Sequence, residues 1–418
     1  MSGIRFTPTP DVVLILNHLL DIFERRDGAP KQAVRVKLDG LNLPGYHSQI
    51  DPNPRTIANE QLSQLAQQGW LHLTWQQGQT GHLLETVTLE ASQTHPLYTL
   101  LKREPLAEQR LRLRQLLLAD RFQMDGWRRR AVEHCLSQLK AHKSPAPFSL
   151  TDLDWNRDLL TALIALPSGE SQEEIPYRVF SVRIFNDSKR FEALKDTIAR
   201  LAGRHQPGWR DLSPPEILRE MGLVANPGHL YLYGPWKLID VDGQVVSLAE
   251  FYPSVGIPAA LAARVRQASI AASRLICVEN LASFYELIRH AGHDLAALCL
   301  WGNPSPAMRH LLRCLVETLP ERIPLLLWAD IDYGGLNILA QLRRQVSPRF
   351  APYRMDPPTL DAHAHWGHPL STTDEHNLTR LRQHAALADM APLIDHMLLR
   401  GLKLEQEAVT FEGCPGDE

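Results

Sequence analysis

The stretch LLLWADIDYGGL at residues 325–336 decides the fold of the C-terminal half. An apolar run of strand length ends at Asp330, and Asp332 and a Gly-Gly turn follow before a helix-like pattern begins. Similar apolar runs precede it and alternate with helix-like segments, which is typical of a mainly parallel α/β domain. The predicted strands are residues 274–278, 297–301 and 323–329.

Carboxylates follow two of these predicted strands. Glu279 comes directly after the first strand, and Asp330 and Asp332 come after the third. Because ligands of an open parallel sheet bind at the carboxyl ends of its strands, the three acids are candidate ligands of Mg²⁺ or Mn²⁺. Such a site could polarise a phosphodiester and activate water. The alternative is that these acids only cap the helices that follow.

The D-x-D pattern alone has no specificity, because it occurs three times in the chain. Asp152 and Asp154 lie in a stretch that predicts a helix cap, and Asp240 and Asp242 precede a glycine and predict a hairpin turn. The pair at 330 and 332 differs because it combines a buried strand, a Gly-Gly turn and an upstream strand that ends in glutamate.

The N-terminal region, residues 1–92, has the pattern of a winged helix. Two amphipathic helices are followed by alternating segments at 71–75 and 83–89, with a Gly-rich turn between them. Residues 93–145 form a predicted helical arm, and the segment 101–130 carries nine basic and four acidic residues. Its net charge of +5 is that of a solvated helix face or of a DNA-backbone contact. The arginines proposed for that contact are Arg128, Arg129 and Arg130.

A second small module is predicted over residues 146–206, after the Ser-Pro-Ala-Pro sequence at 144–147. It contains a helix at 154–166, a strand-like run at 177–185 and a helix from about 190. Lys189 and Arg190 begin that last helix, where exposed backbone N–H groups and two cations could bind phosphate, and the alternative is a capped surface helix without a ligand. Residues 207–418 form the predicted catalytic domain, with its core at about 270–360 and a hairpin at 230–248 that turns at Asp242-Gly243.

The composition excludes several classes of protein. The net charge is −3, and the five cysteines include no C-x-x-C pair, which argues against a disulfide framework and a thiolate zinc site. No run of 18 apolar residues is present, and the first residues lack the apolar core of a signal peptide, so we expect a cytoplasmic protein. Cys277 and Cys299 lie in apolar strands and are expected in the core.

A histidine tract forms a second candidate metal site. His363, His365 and His368 lie among loop signals after two prolines, without an adjacent carboxylate strand. Histidines in such a tract more often lie at the surface or line a cavity than bind a metal. Whether this tract binds a ligand stays open. Trp301 and Trp366 are expected to pack in the interior.

The order Glu279, Gly302-x-Pro304, Asp330-x-Asp332-x-Gly334 resembles the Toprim fold of topoisomerases, primases and nucleases. Longer stretches at 181–190, 277–284 and 404–407, which read SVRIFNDSKR, CVENLASF and LEQE, resemble the JetD family. These are the nuclease subunits of Wadjet plasmid-defence systems and are similar to the A subunit of topoisomerase VI. The resemblance implies a multidomain α+β and α/β protein with a winged helix, a helical arm, a CAP-like winged helix and a Toprim domain.

The resemblance also implies an activity. Glu279, Asp330 and Asp332 would hold two Mg²⁺ or Mn²⁺ ions, with Glu279 able to act in proton transfer. The protein would be a homodimer that cleaves double-stranded, closed circular plasmid DNA, one strand at each site. Its partners would be an SMC-type ATPase with kleisin and KITE subunits. Three glycines would have structural roles in turns: Gly302, Gly334 and Gly335.

Two departures from these relatives define the alternatives. Topoisomerase VI uses a nucleophilic tyrosine, and Tyr177 lies in the corresponding region without the surroundings of an activated nucleophile. No Walker A sequence is present, so any ATP chemistry must come from a partner chain. Metal-dependent hydrolysis therefore fits better than strand passage by a topoisomerase. The remaining alternative is a non-catalytic DNA-binding adaptor that uses the winged helices alone.

Overall fold

The computed structural model describes residues 6–26, 33–167, 174–292 and 294–409. The chain divides into two compact units, residues 1–160 and 161–418. Within the described residues no helix is both long enough and apolar enough to cross a membrane. The structure is a mixture of α-helices and several β-sheets, as the sequence predicts.

In the first unit, three strands and the helices up to residue 101 pack around one apolar core, and two further helices follow. Its elements are α1 (Pro10–Arg25), β1 (Val34–Lys37), α2 (Asn53–Gln67), β2 (Leu71–Trp75), β3 (Leu84–Leu89), α3 (Thr94–Leu101), α4 (Leu106–Asp120) and α5 (Gly126–Lys140). The strands form an antiparallel sheet in the order β1-β3-β2. The helix α6 (Leu153–Ala165) spans the boundary between the units.

The amphipathic pattern of the first unit accounts for its helices. On α1 the residues Val12, Ile15, Leu19 and Phe23 recur at helical spacing and are buried against the sheet. The two strands predicted at 71–75 and 83–89 are confirmed, and so is the helical character of the basic arm. Strand β1 was not predicted, because a four-residue edge strand gives little local signal.

The second unit begins with short elements and continues into an α/β sheet. Its elements are β4 (Ile175–Pro176), α7 (Tyr177–Phe185), α8 (Arg190–His205), α9 (Pro214–Glu220), β5 (Leu223–Val224), β6 (His229–Tyr233), β7 (Trp236–Asp240), β8 (Val245–Ser247), β9 (Val255–Pro258), α10 (Ala259–Ala263), β10 (Val265–Ile270), β11 (Arg274–Val278), α11 (Leu281–His290), β12 (Leu295–Cys299), α12 (Pro306–Val316), β13 (Leu325–Trp328), α13 (Tyr333–Gln345), β14 (Phe350–Pro352), α14 (Pro357–Ala362), β15 (His368–Pro369), α15 (Thr372–Leu381), α16 (Ala391–Arg400) and β16 (Leu402–Lys403).

A six-stranded sheet in the order β14-β13-β11-β12-β6-β9 forms the centre of this unit. Strands β11 to β14 are parallel to their neighbours in this group, and β6 and β9 are antiparallel additions. The parallel strands are almost entirely apolar and buried, because helices cover both faces of such a sheet. The predicted α/β arrangement is therefore confirmed, and the carboxyl ends of β11 and β13 lie side by side.

Three sequence predictions need correction in this unit. The strand-like run at 177–185 is the helix α7, which packs on α8 through the rings of Phe180 and Phe191, 4.9 Å apart. Its β-branched and aromatic residues favour a strand locally, and tertiary packing overrides that preference. The strand predicted at 297–301 ends at Cys299. The hairpin at 230–248 turns at Asp242-Gly243 as predicted, but its first part is β6, which pairs with β9 and β12 instead.

Candidate active site

The acidic edge, which we define as Glu279, Asp330 and Asp332, lies where β11 and β13 end. Val278 pairs with Trp328 in the parallel ladder, so the residues that follow both strands emerge at one edge of the sheet. The Oε2 atom of Glu279 accepts a hydrogen bond of 3.1 Å from the backbone N–H of Asp330. Glu279 and Asp330 line an open cleft of about 280 Å³, whose other lining residues are Asn280, Leu281, Trp301 and Gly302.

Burial and repulsion by neighbouring carboxylates raise the pKa values of the two acids that line the cleft. The pKa of Glu279 is raised to about 8, first by burial and then by the negative charge of Asp330. The pKa of Asp330 is raised to about 6, first by burial, with Asp332 and Glu407 contributing further repulsion. Among the residues that the structure describes, no lysine or arginine pairs with either half-buried carboxylate, although such a partner normally compensates the lost hydration.

The helix-cap alternative holds for only one of the three acids. The Oδ1 atom of Asp332 accepts a bond of 2.8 Å from the N–H of Gly335 and so caps α13. Helix α11 is capped by Asn280 and not by Glu279. Asp330 caps no helix, and its Oδ1 accepts a bond of 2.7 Å from the backbone N–H of Gln406. Two of the acids thus have no capping role that would explain their burial.

The donor set fits a hydrated divalent cation better than a fully protein-bound one. In the part of the chain that the structure describes, no three His, Cys, Asp or Glu side chains form a ready metal cluster. Mg²⁺ is usually held by one or two carboxylates, with water and substrate phosphate oxygens completing its shell. Glu279 and Asp330, which face an open cleft, match that requirement, and Asp332 lies within electrostatic range of both.

Three glycines shape the loops around the acidic edge. Gly302 has φ of +88°, a backbone conformation that favours glycine. A Cβ atom on Gly335 would lie 2.1 Å from the carbonyl oxygen of Asp330, so only glycine fits there. At Gly334 a Cβ atom would lie 3.2 Å from Oδ1 of Asp332. The turn after β13 can therefore fold closely around its own carboxylates.

Gln406 is the main site residue to which the sequence analysis gave no role. It is 1% exposed, and its Nε2 donates to the carbonyl of Trp328 at 2.8 Å. Its Oε1 accepts from the N–H of Asn280 at 3.0 Å. These two side-chain bonds connect the ends of β11 and β13, and the backbone N–H of Gln406 also donates to Asp330. The stretch at 404–407 was recognised only as part of the family resemblance, and nothing local indicates this long-range contact.

The acidic surroundings extend to the same C-terminal segment. Leu404 and Ile331 exchange backbone hydrogen bonds of 2.8 and 3.1 Å, which place the segment beside the turn after β13. The side chain of Asn280 donates to Glu407, and both Glu405 and Glu407 raise the pKa of Asp330. The acidic edge is therefore surrounded by further negative charge.

The predicted DNA-contact residues lie in α5 and at the start of α8. In the first unit, Arg128 contacts Asp125 at 2.5 Å, Arg129 contacts Glu133 at 3.3 Å, and Arg130 is exposed. In the second unit, exposed Lys189 precedes α8, and its backbone N–H donates to Asp187, while Arg190 is half-buried. The structure does not bring Lys189 or Arg190 into the cleft, and their contact with DNA stays a prediction.

The other candidate nucleophiles and ligands have ordinary structural surroundings. Burial raises the pKa of Tyr177, which is the opposite of what an activated nucleophile needs. Cys277 and Cys299 are buried in the core, as predicted, and burial raises the pKa of Cys299 to about 11. Cys414 lies outside the described residues. In the histidine tract, Nδ1 of His363 lies 2.9 Å from the carbonyl of Thr359.

The prediction that Trp301 and Trp366 pack in the interior is wrong. Their exposures are 60% and 63%, respectively. Trp366 lies against the ring of His365 in a short 3₁₀ turn. Trp301 follows β12 at the rim of the acidic cleft.

Fold and site together define an α/β protein with an acidic edge at the carboxyl ends of parallel strands. Residues 234–414, which include the whole acidic edge, match the family model of the C-terminal region of the Wadjet protein JetD. The chain is also 23% identical over 365 residues to the Wadjet protein JetD of Bacillus cereus strain Q1. That alignment covers 87% of this chain and 88% of the relative. The chain is thus similar to the Wadjet protein JetD over most of its length.

Proposed function

We propose that this protein is a metal-dependent DNA endonuclease of the Toprim type, and that it is the nuclease subunit of a Wadjet-type complex. The observation that carries the proposal is the pair of half-buried acids, Glu279 and Asp330, that line an open cleft and have no lysine or arginine partner among the described residues. Unpaired carboxylates in this position lower the folding stability. A cation-binding site requires them, whereas a purely structural role does not.

Glu279, Asp330 and Asp332 would hold Mg²⁺ or Mn²⁺, with two ions expected from the resemblance to Toprim enzymes. When bound, the ions would neutralise phosphate charge and activate water. Glu279 has a further role because its Oε2 already accepts the N–H of Asp330. The resemblance to Toprim enzymes assigns that role to proton transfer, and in the metal-free site burial raises the pKa of Glu279 to about 8.

Gln406 is a positioning residue in this scheme. It binds the carbonyl of Trp328, the N–H of Asn280 and the carboxylate of Asp330, so it fixes the separation of the two acids that face the cleft. Such supporting hydrogen bonds hold ligand carboxylates in position before the ion binds.

The proposed assembly and substrate rest on the similarity to JetD. The relative named above is a Wadjet protein, and we propose that this chain likewise acts with an SMC-type ATPase and its kleisin and KITE subunits on closed circular plasmid DNA. A homodimer would present one acidic edge to each strand. Arg129, Arg130 and Lys189 are exposed cations that could contact the DNA backbone. The raised pKa of Tyr177 argues against a tyrosine-linked topoisomerase mechanism.

The test is cleavage of supercoiled plasmid by the purified protein with Mg²⁺ or Mn²⁺, with and without the reconstituted partner complex. Glu279→Ala and a reaction with EDTA serve as negative controls, and Asp242→Asn serves as the matched acid outside the site. The proposal is supported if the wild type and Asp242→Asn linearise the plasmid with metal, whereas Glu279→Ala and the EDTA reaction do not. Absence of cleavage by the wild-type protein with active partners and metal would favour the DNA-binding adaptor.

A further inference from the structure

A second pocket of about 450 Å³ lies beside the acidic cleft and shares one wall residue, Trp301, with it. The pocket has the volume of a small-molecule site. Its lining combines aromatic and apolar side chains with one arginine and one glutamate, and the residues used below are Glu174, Arg219, Tyr231 and Trp301. Nothing in the proposed metal site accounts for it.

Trp301 is held in a conformation that its packing does not explain. Its φ is +53°, in the left-handed region that bulky residues rarely adopt, and the next residue, Gly302, also has positive φ. The ring is 60% exposed, with its centroid 6.0 Å from the ring of Tyr231. A strained backbone that presents an aromatic ring to solvent costs stability, and such strain is concentrated at binding sites.

The polar groups of the pocket suit a nucleotide. Arg219 is half-buried in the wall and is a cation that a phosphate or a base edge could contact. Glu174, the acid of the lining, already accepts a hydrogen bond of 2.7 Å from the N–H of Gly228. The aromatic rings of Trp301 and Tyr231 offer the flat surface on which nucleobases stack.

We propose that this pocket receives one unstacked nucleotide of the DNA whose phosphodiester lies in the acidic cleft, with its base against Trp301. The inference rests on the proposed nuclease function and adds the substrate conformation. A base in a regular duplex must be unstacked before it can enter such a pocket. The pocket therefore selects DNA that is already kinked, bulged or mismatched, and cleavage depends on the shape of the DNA.

The test uses the full-length protein and a short duplex with a single bulged 5-iododeoxyuridine, irradiated in EDTA so that no cleavage occurs. We expect the bulged duplex to crosslink at least about fivefold more than a fully paired one, and the modified peptide to contain Trp301 or Tyr231. A fivefold ratio corresponds to about 1 kcal/mol, the lower end of the stacking contribution of one base.

Three variants decide the assignment. Trp301→Asn should lose the excess crosslinking while melting at the same or a higher temperature, because asparagine tolerates positive φ. Trp301→Phe should retain most of it. Trp366→Asn is the matched control, since that tryptophan is equally exposed at 63% but lies outside the pocket. If Trp301→Asn does not fold, loss of the excess in Arg219→Gln replaces it as the deciding result.

Equal crosslinking by the wild type and the folded Trp301→Asn variant, or crosslinks only to other peptides, would overturn the inference. This outcome is separate from failure of the nuclease proposal, which would show as absent metal-dependent plasmid cleavage. Since crosslinking needs neither metal nor catalysis, each of the two proposals can fail alone.

Discussion

Two D-x-D sequences in the same unit have opposite electrostatic surroundings. Asp240 accepts hydrogen bonds from the N–H groups of Asp242 and Gln244 at 2.9 and 2.8 Å, and Arg264 contacts the carboxylates of both aspartates. Asp330 and Asp332 instead lie beside further acids, with raised pKa at Asp330. The first pair stabilises a hairpin turn, whereas the second lacks its counter-charge. The same two-aspartate motif can therefore have opposite electrostatic surroundings, which the residues around it determine.

The largest expected effect is on the rate of plasmid cleavage, which should depend on the acidic edge and not on the Asp240–Asp242 hairpin. Glu279→Gln or Asp330→Asn should lower metal-dependent plasmid cleavage by about 10³-fold, because each removes a charge that holds the cation, and a loss of about 4 kcal/mol of transition-state stabilisation has that effect. Asp242→Asn should leave the rate within about twofold. The measurement is the initial rate with saturating partner complex, and a similar loss in all three variants would show that the two pairs do not differ in function.

Gln406→Ala should weaken cation binding by about 10- to 100-fold, the usual effect of losing a hydrogen bond that orients a ligand. The side chain connects the ends of β11 and β13, so its loss lets Glu279 and Asp330 separate. The measurement is the Mg²⁺ concentration for half-maximal cleavage, together with Mn²⁺ affinity. Gln383→Ala, at an exposed position, is the control. A variant that melts lower but keeps its metal affinity would show a role in stability alone.

Glu407→Lys should make the acidic edge resemble the Asp240–Asp242 hairpin. The new cation would lie near Glu279 and Asp330, both of which respond to the charge at 407. We expect a higher melting temperature without metal and about tenfold weaker Mn²⁺ binding, a limited effect because residue 407 is exposed and screened. Glu407→Gln, which removes the charge without inverting it, should have a smaller effect. Tighter metal binding in the lysine variant would contradict the electrostatic explanation.

The last prediction concerns the pH dependence of stability without metal. The pKa of Glu279 is about 8 in the folded protein and 4.5 ordinarily, so the folded state holds the extra proton between these values. Stability without metal should therefore fall as pH rises from about 5 to about 8, by at most about 1.4 kcal/mol per pH unit from this group.

Chemical denaturation in EDTA at a series of pH values measures this slope. Glu279→Gln should flatten it, and Mg²⁺ should stabilise the wild type most at the upper end of the range, where the carboxylate is charged. A slope that is unchanged in the variant would exclude Glu279 as its source.

The sequence predicted the strands that build the acidic edge because buried parallel strands are continuous apolar runs. It also predicted correctly that Asp152 caps a helix and that Asp240 and Asp242 belong to a turn, because both are local structures. It failed at α7, where packing on α8 overrides β propensity. It gave no role to Gln406, because its bond to Asn280 joins residues 126 positions apart. The exposure and positive φ of Trp301 were also not predicted, because the residue type alone does not determine the backbone angles.

The most direct test of the central claim is an electron paramagnetic resonance titration of the metal-free protein with Mn²⁺, in which bound and free ions are distinguished. Our account predicts saturable Mn²⁺ binding that Glu279→Gln and Asp330→Asn both lose and that Asp242→Asn retains, with Mg²⁺ competing for the same site. Equal Mn²⁺ binding by the Glu279→Gln variant and the wild type would contradict the account.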